Sequence, residues 1–199
     1  MSDYLKERFP EELKSRIESE SPSDLVTTLE ETFDKIDDEL RIMDSETCGS
    51  TACVGIIRME SGHKVLYIAN VGDTRAILSR NGVEERLSID HKVSEKSEHD
   101  RITKEGGVIM NDRVGGTLIL TRAMGDFALK DSGVICKPTI RKHFIRPFDR
   151  FVVIASDGVY DTLSDEDVVR MCDLEESTDK ISKEIIVKAL ETGSQDNLC

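Results

Sequence analysis

The sequence has no apolar run approaching the roughly 20 residues needed to cross a bilayer, so no membrane partner is expected. Its opening stretch, MSDYLKERFPEE, has no apolar signal core. It also lacks a CxxC pair, an internal repeat and any long low-complexity linker. Positive charge is in short supply. The 27 Lys and Arg against 40 Asp and Glu leave a formal charge of -13, which argues against nucleic acid as a partner for the chain as a whole. Histidine is scarce as well: His63, His91, His99 and His143 lie in polar contexts without metal-ligand spacing, and this removes zinc from consideration. The five cysteines, Cys48, Cys53, Cys136, Cys172 and Cys199, form an odd and scattered set. They read as reduced thiols of an intracellular protein, cytoplasmic or nuclear, with those of CGSTAC on a core strand.

What is present suits a soluble globular protein. The 199 residues are 38% apolar and 34% charged, enough to bury a core in one domain spanning 1–199. Leu5, Phe9, Leu13 and Ile17 recur once per helical turn, with a break or restart expected at Pro10. SPSD then offers Ser21 as a helix cap and Pro22 at the first helical position. Leu25, Leu29, Phe33, Ile36 and Leu40 follow as an apolar stripe, and the acids on the opposite side read as a solvated face. From Cys48 the period changes. TACVGIIRM, KVLYIANVG and RAILSRNGVEERLS are β-branched and aromatic stretches separated by SGH, GD and NG, which predicts antiparallel hairpins. Residues 94–105 read as a helix stopped by Gly106-Gly107, and TLIL and FVVIA as buried strands. SDEDVVRMC is a short helix capped by Ser164, and residues 179–191 carry Ile181, Ile185, Ile186 and Leu190 on one helical face. Helices at both ends of a hairpin-rich middle make the class α+β.

Four aspartates stand beside a glycine or in a turn after an apolar strand: Asp73 in NVGDTRA, Asp157 and Asp161 in SDGVYD, and Asp196 in SQDN. A carboxylate at the end of a strand is held more firmly than one on a loose loop. Gly158 lets the backbone bend there, and Asp161 falls one helical turn from Asp157. Converging carboxylates repel one another unless a cation neutralises them. All-oxygen donors suit hard ions such as Mg²⁺ or Mn²⁺. Taken singly, each Asp-Gly is equally well explained as a turn.

Their combination with other motifs resembles a known family. CGSTA at 48–52, ANVGDTRA at 69–76, DHK at 90–92, EHDRI with EGG at 98–107, LTRAMGD at 120–126, ASDGVYD at 155–161 and GSQDN at 193–197 occur in the order seen in metal-dependent protein phosphatases of type 2C. The resemblance implies a four-layer α-β-β-α sandwich of two antiparallel sheets flanked by helices. It implies two Mg²⁺ or Mn²⁺ ions activating a water that attacks phosphoserine or phosphothreonine in protein substrates. By the same resemblance Asp157 is a ligand of one catalytic metal with Asp196 beside it. Asp73 and Asp161, with Asp157, match a third and looser metal site. Gly158 keeps the backbone tight against the ions, and Arg122, Gly125 and Asp126 are supports near a flap that is short here.

The chain also departs from that pattern. It contains no Asp-Gly-His-Gly element, the family's source of a metal-bridging Asp and a proton-donating His, and no phosphate-gripping Arg ahead of it. MSDYLKERFP looks like the helix that follows this element, and a closing strand is expected after QDN, so the domain reads as truncated at both ends, with sheet edges left open. Each missing acid or electrostatic group is worth on the order of 10² in rate. Three readings follow: part of an active phosphatase, a non-catalytic relative that binds phosphoproteins or regulates a partner protein, and a carboxylate-rich structural domain that binds nothing.

Overall fold

The computed structural model describes residues 1–19, 24–43, 46–174 and 177–199. In chain order the elements are helices α1 (Ser2–Ser19) and α2 (Leu25–Ile42), strands β1 (Gly49–Ser50), β2 (Ala52–Glu60), β3 (His63–Val71), β4 (Arg75–Arg80) and β5 (Val83–Arg86), and helix α3 (Lys96–Lys104). Strands β6 (Ile109–Met110), β7 (Arg113–Val114) and β8 (Met124–Gly125) follow, then a 3-10 helix (Phe127–Ser132), β9 (Thr139–Phe144), β10 (Asp149–Ala155), α4 (Asp157–Tyr160), α5 (Asp165–Leu174) and α6 (Thr178–Glu191). The expected α+β class with antiparallel sheets is what the chain adopts. It forms two compact units interleaved in sequence: Met1–Ala52 with Ala69–Asp73 and Asp90–Ile140, and Cys53–Ile68 with Thr74–Ile89 and Arg141–Cys199.

The first unit opens with α1 and α2. Leu5, Phe9 and Leu13 are buried, and the Phe9 ring meets the Phe33 ring edge-on at 4.7 Å. The α2 stripe Leu25, Leu29, Phe33, Ile36 and Leu40 is buried throughout, as its spacing requires. The expected break at Pro10 does not occur. α1 runs through it, because Pro10 sits on the exposed side, where the lost backbone hydrogen bond faces solvent. Ser21 and Pro22 lie outside the described residues; Asp24 caps α2 by accepting from the Val26 amide at 3.3 Å. One acid of the supposedly solvated face, Asp37, is interior. TLIL, expected to be a strand, makes only isolated bridges (Val114 with Leu118, Lys92 with Leu120), since Gly115 and Gly116 at φ 57° and 72° have already turned the chain out of any ladder. A second small core, Val93, Ile102, Val114, Ala123 and Val134, lies under α3.

The second unit is built on hairpins. Ser61-Gly62 and Asn81-Gly82 both have positive φ, the turn geometry that matches strand twist. One antiparallel sheet has the order β10-β4-β5 and another three-stranded sheet the order β2-β3-β9. Alternation along β4 and β10 builds two cores from one sheet. Ile77, Phe151 and Val153 face Val159, Leu163, Val168, Val169, Ile181, Ile185 and Ala189 of the helical layer. Ala76, Leu78 and Val152 face Leu66 and Ile68 of β3. The helix starts follow the sequence: Ser164 and Asp167 form a reciprocal cap on α5, at 2.6 and 3.1 Å. Arg75 of the GDTRA motif bonds Asp165 at 2.6 Å and stacks over the Tyr160 ring, tying β4 to α5. On α6, Ala189 takes the inward position and Leu190 points outward, because 181, 185 and 189 are the four-residue repeat.

FVVIA is a strand but not a buried one. β10 stands at a sheet edge, as does β2, and Ile154 (40% exposed), Ile57 and Met59 are solvent-accessible. The expected core placement of the CGSTAC thiols holds for Cys53, which lies on β2 against the Leu66 and Ile68 core, but not for Cys48, which is exposed ahead of β1; all five cysteines are free. Among the described residues no helix is long and apolar enough to cross a membrane. Phe33, fully buried against Phe9, is the sharpest test of the first unit's packing. Phe33→Ala is expected to cost about 3–5 kcal/mol, read as a lower urea midpoint with unchanged slope.

Candidate functional site

In the second unit β10 delivers the chain to Ser156, and the next four residues make the single turn of α4. Asp157 is its first residue and Asp161 its cap, with the Asp161 amide donating to the Asp157 carbonyl at 2.7 Å. The predicted one-turn spacing of the two carboxylates is therefore the observed one. Gly158 is needed for a close approach rather than for a special φ: a Cβ there would lie 2.5 Å from the Asn197 carbonyl oxygen. Asp196 bonds the next amide in the chain, Asn197 N–H, through Oδ1 at 2.7 Å. Gly158, Asp161, Thr162, Gly193, Ser194, Gln195 and Asp196 line one cleft of about 410 Å³. Asp157 stands on the same turn, half-buried, but is not among the lining residues.

Asp73 belongs to the first unit. It is buried at the end of β3, and its Oδ2 pairs with Lys92 Nζ at 3.0 Å. The turn before it is locked from two sides. Gly72 has φ 97°, and a Cβ on it would come within 2.3 Å of the Thr51 Cγ2 methyl. The His91 amide donates to the Gly72 carbonyl at 3.0 Å, while the Gly72 amide donates to His91 Nδ1 at 3.1 Å. That bond assigns the imidazole proton to Nε2, which donates to Thr139 Oγ1 at 3.2 Å. Burial drives the His91 pKa down to about 4, helped by the charge of Arg122, so the ring is neutral. The polar sequence context of His91 is thus misleading: DHK, GSTA and VGD interlock around one turn.

Arg122, Gly125 and Asp126 act as supports in the first unit. Arg122 donates twice to Glu98, from Nε at 3.0 Å and Nη2 at 2.5 Å, and once to the Lys137 carbonyl at 2.7 Å. Glu98 also accepts from Thr121 Oγ1 and Arg101 Nη2, at 2.8 and 3.2 Å. Burial alone would raise the Glu98 pKa; Arg122, with Thr121 and Arg101, outweighs it and brings the value down to about 2. The Gly125 amide donates to Asp37 Oδ1 at 2.7 Å, and Lys130 pairs with the other Asp37 oxygen at 2.9 Å. Asp126, in the left-handed region at φ 49°, lays its carboxylate over Gly49, where a Cβ would meet Oδ2 at 1.8 Å. Burial raises its pKa above the usual carboxylate range; Lys130 offsets part of this and Asp37 adds to it.

Comparison with known proteins follows this geometry. The family Protein phosphatase 2C matches residues 1–198. The chain belongs to the protein phosphatase 2C family. It is 35% identical over 201 residues to "Protein phosphatase 2C homolog 1" of Schizosaccharomyces pombe, covering 99% of this chain and 58% of that protein. It is similar, with a TM-score of 0.84 and 26% identity, to the solved structure of a C. elegans sex determining protein, over 99% of this chain and 51% of that one. A Toxoplasma gondii phosphatase structure shares the fold, with a TM-score of 0.79 and 19% identity over 99% of this chain and 78% of that one. The chain thus spans little more than half the length of the yeast relative.

Phosphatase 2C proteins are generally metal-dependent, and the donor chemistry fits a hard cation: Asp157, Asp161 and Asp196 offer only oxygen, and Gly158 keeps a side chain out of their turn. Among the described residues no three His, Cys, Asp or Glu side chains are gathered as a ligand set. The motif reading missed the partners. Glu98, Asp37, His91 and Lys92 do the positioning, and nothing in a single sequence says which acid pairs with which arginine or amide. Glu98 gives a testable pH dependence. Its folded pKa of about 2 lies below the ordinary 4.5, so the stability it contributes is complete above about pH 4.5 and lost as pH falls toward 2. Glu98→Gln is expected to destabilise by about 3 kcal/mol at neutral pH and to flatten that acid limb, read by urea unfolding across pH.

Proposed function

We propose that residues 1–199 form one phosphatase 2C-type domain for phosphoserine and phosphothreonine proteins, and that this 199-residue chain is impaired or inactive in hydrolysis. The observation that carries the reading is the cleft of the second unit, where Asp161 and Asp196 share a wall with Gly158 and Asp157 sits on the same turn. Asp157, Asp161 and Asp196 would hold a Mg²⁺ or Mn²⁺ ion, while Asp73 belongs to the other unit and is paired there with Lys92. When bound, such an ion supplies Lewis-acid activation of water and neutralises phosphate charge. The chain itself places Asp157 and Asp161 on one helical turn, with Asp196 in the same cleft wall as Asp161. Arg122, Gly125 and Asp126 hold a loop of the first unit, each with its partner within that unit.

Impairment follows from chemistry that these residues do not contain. Among 199 residues there is no Asp-Gly-His-Gly, hence no bridging carboxylate and no proton donor from that element. A second reading is a non-catalytic phosphatase 2C module that binds phosphoproteins or regulates a partner protein. The aspartates themselves weigh toward hydrolysis; in the non-catalytic reading one bound cation would use them to stabilise the loops. Five free cysteines support a reducing location, cytoplasm or nucleus. The test is hydrolysis of a phosphothreonine peptide by this chain in millimolar Mn²⁺, beside Asp157→Ala. The expected result is turnover no higher than the variant's. Turnover that disappears in Asp157→Ala would overturn the impairment and establish the chain as an enzyme.

A further inference from the structure

Asp157 and Asp196 are 39 residues apart, and each lies in a segment with little regular structure of its own. Four hydrogen bonds and one steric contact join the two segments. Ser156 uses its amide and hydroxyl for this, while its carbonyl accepts from the Val159 amide of α4 at 3.2 Å. Its amide donates to the Cys199 carbonyl at 3.0 Å. Its Oγ donates to the Asn197 carbonyl at 3.1 Å and accepts from the Cys199 amide at 3.2 Å. From the other side, Ser194 Oγ donates to the Gly158 carbonyl at 2.7 Å. The fifth contact is steric: Asn197 packs on the bare α-carbon of Gly158, where a Cβ would be 2.5 Å from its oxygen.

These contacts bracket both acids. Ser156 and Gly158 flank Asp157, and Ser194 and Asn197 flank Asp196. Neither serine touches a carboxylate, and Ser156, though it precedes α4, makes no side-chain cap bond to that helix. Its hydroxyl is committed to the other segment. We infer that Ser156 and Ser194 are positioning residues: two hydroxyl clasps that hold the Asp196 segment against the α4 turn and so set the separation of the carboxylates for a divalent cation. The inference rests on the proposed cation reading of those acids.

Two features of the clasp favour this over generic loop anchoring. Ser156 Oγ is both donor and acceptor, so the register of Asn197–Cys199 is defined in both directions along the chain. Both hydroxyls bind backbone carbonyls, so the clasp fixes main-chain position directly. Ligand supports of this kind change metal affinity by about 10-fold or more when removed.

The experiment titrates the 199-residue chain with Mn²⁺, following free Mn²⁺ by electron paramagnetic resonance, for the parent, Ser156→Ala, Ser156→Thr, Asp157→Ala and Asp196→Ala. Thermal midpoints are recorded for each. Ser156→Ala is expected to weaken Mn²⁺ binding about 10-fold with little change in thermal midpoint, and Ser156→Thr, which keeps the hydroxyl, to restore it. Should Ser156→Ala bind Mn²⁺ like the parent while the two aspartate variants lose it, the clasp is merely structural and the inference is overturned. Should the aspartate variants bind as tightly as the parent, the cation reading itself falls and takes the clasp's role with it. If Ser156→Ala does not fold, Ser194→Ala decides by the same criteria.

Discussion

A buried carboxylate must be matched, and the order of the first unit follows from how Glu98 is matched. At 3% exposure it accepts from two arginines and a threonine, and each of those donors also holds a loop. Arg101 reaches the carbonyls of Gly133 and Thr121, and Arg122 reaches that of Lys137. One acid on α3 thereby fixes three stretches with almost no strand or helix of their own. Such a cluster is specific as well as strong: any rearrangement would strand a charge in the interior, at several kcal/mol.

The second unit combines close packing with ion pairs of its own, Asp165 with Arg75 and Asp149 with Arg80 and His143. Ile77 and Val153 anchor one face of the β10-β4-β5 sheet under the helices, and Leu78 and Val152 fill the other. This rigid double-sided sheet carries β10 to its end, where the chain must turn at Ser156. The acids therefore sit where backbone order gives way to a single helical turn, held by hydroxyls and a glycine. There the tie between the two segments is made by hydroxyls and amides, whereas Glu98 in the first unit is held by guanidinium groups.

Asp73 illustrates the opposite solution. Its turn is secured by His91, kept neutral by burial, and by the Thr51 methyl against Gly72, while its charge is met by Lys92. An ammonium on a flexible stem can exchange for another cation more readily than a bidentate guanidinium. The carboxylates of this family domain thus have graded commitments: Glu98 is committed to arginine, Asp73 is paired with a lysine, and Asp161 and Asp196 line a cleft.

Most of the element plan was legible from the sequence because local rules wrote it. The stripe Leu25 to Leu40 is a helix wherever its apolar face is buried, Asn81-Gly82 turns a hairpin, and Ser164 with Asp167 starts a helix. The ordered motifs of the phosphatase 2C family were likewise readable. Three-dimensional packing alone decided the rest. Pro10 could be tolerated because its side of α1 faces solvent, and TLIL could not be a strand because two glycines turned it away from any partner. FVVIA, apolar enough for a sheet centre, lies at an edge. Asp37 went inside because the Gly125 amide and Lys130 were there to meet it. Composition and periodicity report what a residue prefers on average; which acid faces an arginine, a lysine or an open cleft depends on partners tens of residues away, and only the folded chain brings those partners within bonding distance.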